Sequence, residues 1–274
     1  MTDHPGIPSL LVLTDRRQAS QTGRTLPTVI AAAVEAGAQA VLLREKDLPV
    51  AERRTLGRRL AAELAGTETA LWVASDPQLA RELGASGVQL AAADPHVDHA
   101  ERTGVGIHLA GQRTITGGTP TAGGLLVGRS CHDRAEVSAA RREAVDLLLV
   151  SPVAPTASKP GYGPALGVAG LRTLVAAAGP IPVLALGGVH ADNAGAWRAA
   201  GAHGLAVMGG VMAADDPAAA VRELRAAWAA APPPASAAPH ADRAPHADRA
   251  RHADPAPHGA PGTPVRLNGE GNRP

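Results

Sequence analysis

At 274 residues the chain can hold one large domain or two small ones, and its formal net charge of +1 lacks the basic excess that a nucleic-acid surface needs. The single cysteine, Cys131, excludes an internal disulfide and fits a reducing compartment. With no Phe, one Tyr and three Trp, any core must be built from small aliphatics, and no apolar run approaches the ~20 residues of a membrane span.

The opening residues, Met1-Thr2-Asp3-His4-Pro5, have neither the charged nor the apolar region of a secretory leader, so a cytoplasmic location is expected. Short aliphatic runs then recur at Leu10–Leu13, Ala40–Leu43, Ala70–Ala74, Gly87–Leu90, Leu125–Gly128, Leu147–Val150, Pro182–Leu186 and Gly204–Met208. Most lack in–out alternation, as parallel strands covered on both faces should. Helical spacing fills stretches between them, including Val50–Leu64, Pro77–Leu83, Arg134–Ala144, Val168–Ala178, Asn193–Ala200 and Pro217–Trp228. Asp76 before Pro77 reads as an N-cap followed by proline in the first helical turn. Eight such strands over ~220 residues predict a TIM (β/α)8 barrel across residues 1–230, with a doubly wound open sheet as the competitor. Gly104–Gly124, rich in Gly and Thr, reads as an inserted loop with a short strand at Gly106–Ala110. Beyond Trp228 the chain turns Ala-Pro rich and repeats a six-residue unit that brings His240, His246 and His252 into register. Proline in or beside each unit and few apolar side chains predict a disordered tail over 231–274, a solvated extension rather than a metal site.

In a barrel, chemistry gathers at the C-terminal ends of the strands. The polar residues there are Thr14-Asp15, Arg44-Glu45-Lys46, Ser75-Asp76, Asp94, Arg129-Ser130-Cys131-His132, the loop Ser151–Gly163, Gly187-Gly188 and Gly209-Gly210. The Ser151–Gly163 loop packs hydroxyls, Lys159, glycines and prolines into one connection, which suits close approach to a phosphate. Glycine pairs after late strands leave backbone N–H groups for a second phosphate. Carboxylates on separate strands can hold Mg²⁺ together with substrate phosphates. The set therefore points to a phosphorylated or diphosphorylated small molecule.

Plainer readings stand beside these. Asp76 and Asp94 could only cap helices, and Arg44 and Lys46 could form a solvated cluster with Glu45. Gly187-Gly188 could be ordinary turn glycine. Cys131 and His132 are adjacent and face opposite ways on a strand, so they do not form a nucleophile pair. Ser130, His132 and Asp133 are sequence neighbours without a Gly-x-Ser-x-Gly elbow, which excludes a hydrolase triad. Gly161, Gly163 and Gly167 miss the dinucleotide spacing.

The ordered segments Leu42-Leu43-Arg44-Glu45-Lys46, Ser75-Asp76, Gly87-Val88-Gln89-Leu90 with Asp94, Gly128-Arg129-Ser130-Cys131-His132, Pro155-Thr156-Ala157-Ser158-Lys159, Leu186-Gly187-Gly188-Val189 and Val207-Met208-Gly209 together resemble the thiamine phosphate synthase/TenI family. The resemblance covers residues 8–228 and implies a TIM barrel. It also implies a Mg²⁺-dependent enzyme acting on small phosphorylated pyrimidine and thiazole substrates, and barrels of this type often form homodimers. By match of motif, Arg44 and Lys46 would bind diphosphate, with Ser75 beside them, and Asp76 and Asp94 would hold Mg²⁺. Ser130 and His132 would lie near the reacting groups. Thr156, Ser158 and Lys159 would serve the phosphates, and Gly188, Met208 and Gly209 the thiazole phosphate. The chain departs from the family at Leu42, Ser75 and Ala91-Ala92, where Gln, Asn and Gly-Gln are usual. Those departures keep two alternatives open: a TenI-like thiazole tautomerase using His132, and a non-catalytic paralogue that binds thiazole phosphate.

Overall fold

The computed structural model describes His4 and residues 6–97, 124–156 and 164–232. Within them eight parallel strands close in chain order: β1 Leu10–Leu13, β2 Ala40–Leu43, β3 Ala70–Ala74, β4 Gly87–Leu90, β5 Leu126–Cys131, β6 Leu147–Val150, β7 Val183–Leu186 and β8 Gly204–Val207. Strand β1 pairs with both β2 and β8, so the sheet has no edge and the expected barrel is present. The described helices are α1 Arg16–Gln21, α2 Leu26–Glu35, α3 Val50–Leu64, α4 Pro77–Glu82, α5 Arg134–Arg142, α6 Gly167–Ala178, α7 Ala191–Ala199, α8 Gly209–Met212 and α9 Pro217–Ala230. The expected strand at Gly106–Ala110 and the six-residue repeats lie outside the described residues. Among the described residues, no helix is long and apolar enough to cross a membrane.

Aspartate starts several of these helices. Asp15, Asp76, Asp133 and Asp216 accept backbone N–H groups of the first turns of α1, α4, α5 and α9. Each such cap is worth about 1 kcal/mol. The first three follow strands within two residues, so the chain turns sharply at the strand ends where a site can form. Helix α2 is capped by Thr25 and carries Pro27 in its first turn.

Side chains sort into two layers. Outward strand residues such as Leu10, Val12, Val41 and Leu43 pack with Ile30, Leu60, Leu171 and Val221 of the helices. Inward residues Leu11, Leu13, Ala40, Leu42, Trp72, Ala74, Leu147, Leu149, Leu184 and Ala206 fill the barrel. Trp72 supplies the bulk that a chain without Phe otherwise lacks, and it is fully buried. It fits because Gly87 faces it: a Cβ there would lie 2.7 Å from the indole. Large against small across the interior is how such barrels reach native packing density.

Strand β5 runs to Cys131, three residues past the apolar stretch that ends at Gly128. Its extension carries Arg129, which is charged yet only 4% exposed. An apolar pattern cannot show that strand continuing, because the buried charge is satisfied by partners distant in sequence.

Candidate active site

The barrel opens at its C-terminal end into a cavity of about 620 Å³, a size suited to a small-molecule ligand. Its floor is apolar, made by Leu13, Leu42, Ala74, Leu149, Leu186 and Ala206 at the tops of six strands. Polar residues from the loops form the walls.

The β2 end contributes Arg44 and Lys46. The Arg44 N–H donates to the Thr14 hydroxyl at 2.9 Å, and Thr14 is itself completely buried. Glu45 faces away from the cavity and accepts from the Arg16 backbone N–H at 2.9 Å and the Arg16 guanidinium at 2.8 Å. Asp47 accepts from the same guanidinium at 2.8 and 2.7 Å. Its hydrogen bonds to Arg16 bring the Asp47 carboxyl down to about 2, and those of Asp47 and then Glu45 raise Arg16 above its usual value. Residues alternate along this loop, with Arg44 and Lys46 toward the cavity and Glu45 and Asp47 toward Arg16.

Ser75, Asp76 and Asp94 do not line the cavity; they form a polar strip at the ends of β3 and β4. Ser75 has a left-handed φ of 57°, and its hydroxyl donates to Asp94. Asp94 also accepts from the Ala91 N–H at 2.7 Å, while its own N–H donates to the Ala91 carbonyl at 3.1 Å. Asp76 caps α4 through the Leu79 N–H at 2.9 Å and pairs with Arg53. The capping expected of Asp76 is thus real. No group of three or more His, Cys, Asp or Glu suited to a metal occurs among the described residues.

Gln89, Ser130 and His132 line the wall at β4 and β5. Gln89 is 4% exposed; its amide donates to Ser130 Oγ at 3.2 Å and to the Leu90 carbonyl at 3.3 Å. The amide oxygen packs 2.0 Å from where a Cβ of Gly128 would stand, so only glycine leaves room for it. Cys131, between Ser130 and His132, faces the helices, and burial pushes its thiol up to about 12. A thiol held there is not a nucleophile at neutral pH. His132 Nδ1 lies 2.7 Å from the Ser151 carbonyl oxygen. A carbonyl only accepts, so Nδ1 carries a proton in this contact.

The β6 and β7 loops are laced together. Val153 N–H donates to the Leu186 carbonyl at 2.9 Å and Ala154 N–H to the Gly187 carbonyl at 3.0 Å. This brings Thr156 to the cavity beside Gly187, Gly188, Met208 and Gly209. Gly188 has φ +64°, and a Cβ on it would lie 2.4 Å from the Pro155 carbonyl oxygen. The glycine is therefore required by close approach as well as by the turn.

The cavity joins Arg44, Lys46, Ser130, His132, Thr156, Gly188, Met208 and Gly209, while Ser158 and Lys159 lie outside the described residues. It also takes in Asp15 and Ser151, which belong to the strand-end set read from the sequence, and Gln18, Gln89 and His190, to which the sequence pattern assigns no role. Asp15 and Ser151 stand just past strand ends, as that reading expects. Gln89 is hidden inside an apolar run, and His190 follows a glycine pair that draws attention first.

The family model described as thiamine monophosphate synthase matches residues 10–211. The chain is 34% identical over 216 residues to a thiamine-phosphate synthase of Albidiferax ferrireducens, covering 79% of this chain and 90% of that protein. It is 33% identical over 200 residues to a thiamine-phosphate synthase of Limosilactobacillus fermentum, covering 72% and 85%. A solved thiamine phosphate pyrophosphorylase from Pyrococcus furiosus aligns with a TM-score of 0.65 at 28% identity, covering 81% of this chain and 95% of that one.

Proposed function

The chain belongs to the thiamine monophosphate synthase/TenI family, and from that premise we propose that it is a thiamine phosphate synthase, a transferase that joins hydroxymethylpyrimidine diphosphate to hydroxyethylthiazole phosphate and releases diphosphate. One observation carries this reading: a cation pair and a glycine-built cradle border the same apolar-floored cavity. In the ring of strands, β2 with Arg44 and Lys46 lies opposite β6 with Thr156, so two phosphorylated groups can be held apart with their rings between them.

Arg44 and Lys46 bind the diphosphate and stabilise its growing charge as the methylene C–O bond breaks, the electron pair leaving with the diphosphate oxygen. The thiazole nitrogen then gives its lone pair to the methylene carbon and forms the C–N bond. Donors aimed at developing charge in a dry site each contribute about 10²–10³ in rate. The floor excludes water that would otherwise capture the carbocation. Ser130 accepts from Gln89, so its own O–H is directed to an acceptor on the substrate. Thr156, Ser158 and Lys159 hold phosphate oxygens, and Gly188, Met208 and Gly209 present backbone to the thiazole phosphate.

The donor set at the ends of β3 and β4 fits Mg²⁺, which favours one or two carboxylates plus substrate phosphates. Among the described residues Asp94 accepts its hydrogen bonds on Oδ2, whereas Asp76 uses one oxygen for its cap and the other for Arg53. Asp94 would therefore be the readier ligand, and Asp76, held by the Leu79 N–H and Arg53, would be the second. When bound, Mg²⁺ supplies charge neutralisation to the departing diphosphate. The same proposal carries a cytoplasmic location for the enzyme.

The test is to incubate the purified protein with both substrates and Mg²⁺, with an EDTA control, and to look for thiamine phosphate. Mg²⁺-dependent product is expected. A folded protein that makes none would favour the thiazole tautomerase, for which His132 on the cavity wall is the specific support.

A further inference from the structure

We propose that Arg129, braced by Glu143, is the positioning residue that fixes Asp94 for the metal–diphosphate side of the site; this rests on the metal role proposed for Asp94. Arg129 Nε and Nη2 donate to Glu143 Oε2 at 3.0 and 2.6 Å. Its Nη1 donates to the carbonyls of Ala91 at 2.8 Å and Asp94 at 2.6 Å. Those two carbonyls bracket the turn in which Ala91 and Asp94 bond each other. One guanidinium thus grips both ends of the segment that presents the Asp94 carboxylate.

Neighbouring residues show why a charge stands there. The outward positions of β5 are Val127, Arg129 and Cys131, and both flanking side chains pack in the helix–sheet layer. An apolar residue at 129 would suit that layer, whereas burying a charged group costs several kcal/mol unless it is well paired. What the arginine adds is the hold on the turn. Ala91, Ala92 and Ala93 offer no polar side chain to the turn, so its other holds are the Asp94 carboxylate on the Ala91 N–H and the Ser75 hydroxyl on that carboxylate, the group to be positioned. A lysine could keep the charge but could not bridge two carbonyls and a carboxylate in one plane.

The test titrates inorganic diphosphate into the full chain by calorimetry, with and without Mg²⁺, and reads the Mg²⁺-dependent gain in affinity. Thermal melting of each variant checks folding. Arg129→Lys should cut that gain about ten- to hundredfold, as lost supports of metal ligands do, and Glu143→Gln should cut it less. Diphosphate affinity without Mg²⁺ should stay at the wild-type value in both variants, a split that general loosening of the fold would not produce. If Arg129→Lys does not fold, Glu143→Gln decides. Wild-type Mg²⁺ gain in the folded variants, alongside its loss in Asp94→Asn, overturns the positioning role and leaves the metal reading standing. A full Mg²⁺ gain in Asp94→Asn overturns both.

Discussion

The two regions of the rim proposed to face phosphates are built in opposite ways. At β2 the contacts are charged side chains, Arg44 and Lys46, on a loop held by Thr14 and by Arg16 with Glu45 and Asp47. At β7 and β8 Gly187, Gly188, Gly209 and Gly210 bring backbone to the cavity, and among the described lining residues there the one ionisable side chain is His190. Charge suits a group whose negative charge grows in the transition state, because stabilisation must increase as the bond breaks. Fixed backbone N–H groups suit a phosphate that stays unchanged and needs only to be held. The contrast supports the proposal of diphosphate departure on one side and thiazole anchoring on the other.

Removing charge at β2 is the strongest way to break that assignment. Arg44→Ala or Lys46→Ala should each lower kcat on the order of 10²–10³-fold in steady-state assays, with little change in KM for thiazole phosphate. A rise in the thiazole KM with kcat intact would reverse the division of labour.

The complementary change is Gly188→Ala. The added methyl would press on the Pro155 carbonyl, and the left-handed φ would be strained as well. Separating the β6 and β7 loops should raise KM for thiazole phosphate by roughly tenfold to a hundredfold, because small misplacements of a binding wall are costly. Diphosphate binding, followed by calorimetry, should be unaffected. Equal loss of both ligands would mean that the two sides are not independent.

A smaller effect comes from the support behind the cations. The Asp47 carboxyl is depressed to about 2 by its hydrogen bonds to Arg16, so its contribution to stability is present above the ordinary carboxylate value and is lost as pH falls through about 2. Asp47→Asn should lower the melting temperature slightly at pH 7, and the two proteins should converge near pH 2. Because Asp47 and Arg16 are partly exposed, the difference should shrink in high salt. A gap that persists at pH 2 would assign the effect to something other than the carboxylate charge.

How far these regions can be read in the sequence follows from distance along the chain. The eight strands are legible because parallel strands covered on both faces need uninterrupted aliphatic runs, as at Leu147–Val150. Strand β5 is legible only to Gly128, since the partners that make Arg129 tolerable are Glu143 and two carbonyls of another strand end. The cations and glycines at strand ends stand out by type and position. Glu45 next to Arg44 and Lys46 reads locally as their ion-pair partner, yet it turns to Arg16, whose approach depends on barrel closure bringing β1 beside β2. The Ser75 hydroxyl likewise turns to Asp94. Side-chain direction at a strand end is set by what the neighbouring strand brings, and no local pattern reports it.

The smallest expected effect is from removing residues 231–274. We infer that residues 1–230 are the catalytic unit. Helix α9, the last described element, ends at Ala230 and buries Pro217, Val221 and Leu224 on the barrel. Arg225 on α9 also donates to the Ala36 carbonyl at 3.0 Å, tying the helix to the end of α2. Every described wall of the cavity comes from residues 13–213. A chain stopped after Ala230 keeps all of these contacts, while the Ala-Pro-rich repeats beyond offer few side chains able to bury apolar surface. Turnover, both KM values and the melting temperature should match those of the full chain. A large loss in kcat alone would mean that the tail reaches the diphosphate side. A loss in melting temperature alone would mean that it packs on the barrel, and the unit would then have to be redrawn to include it.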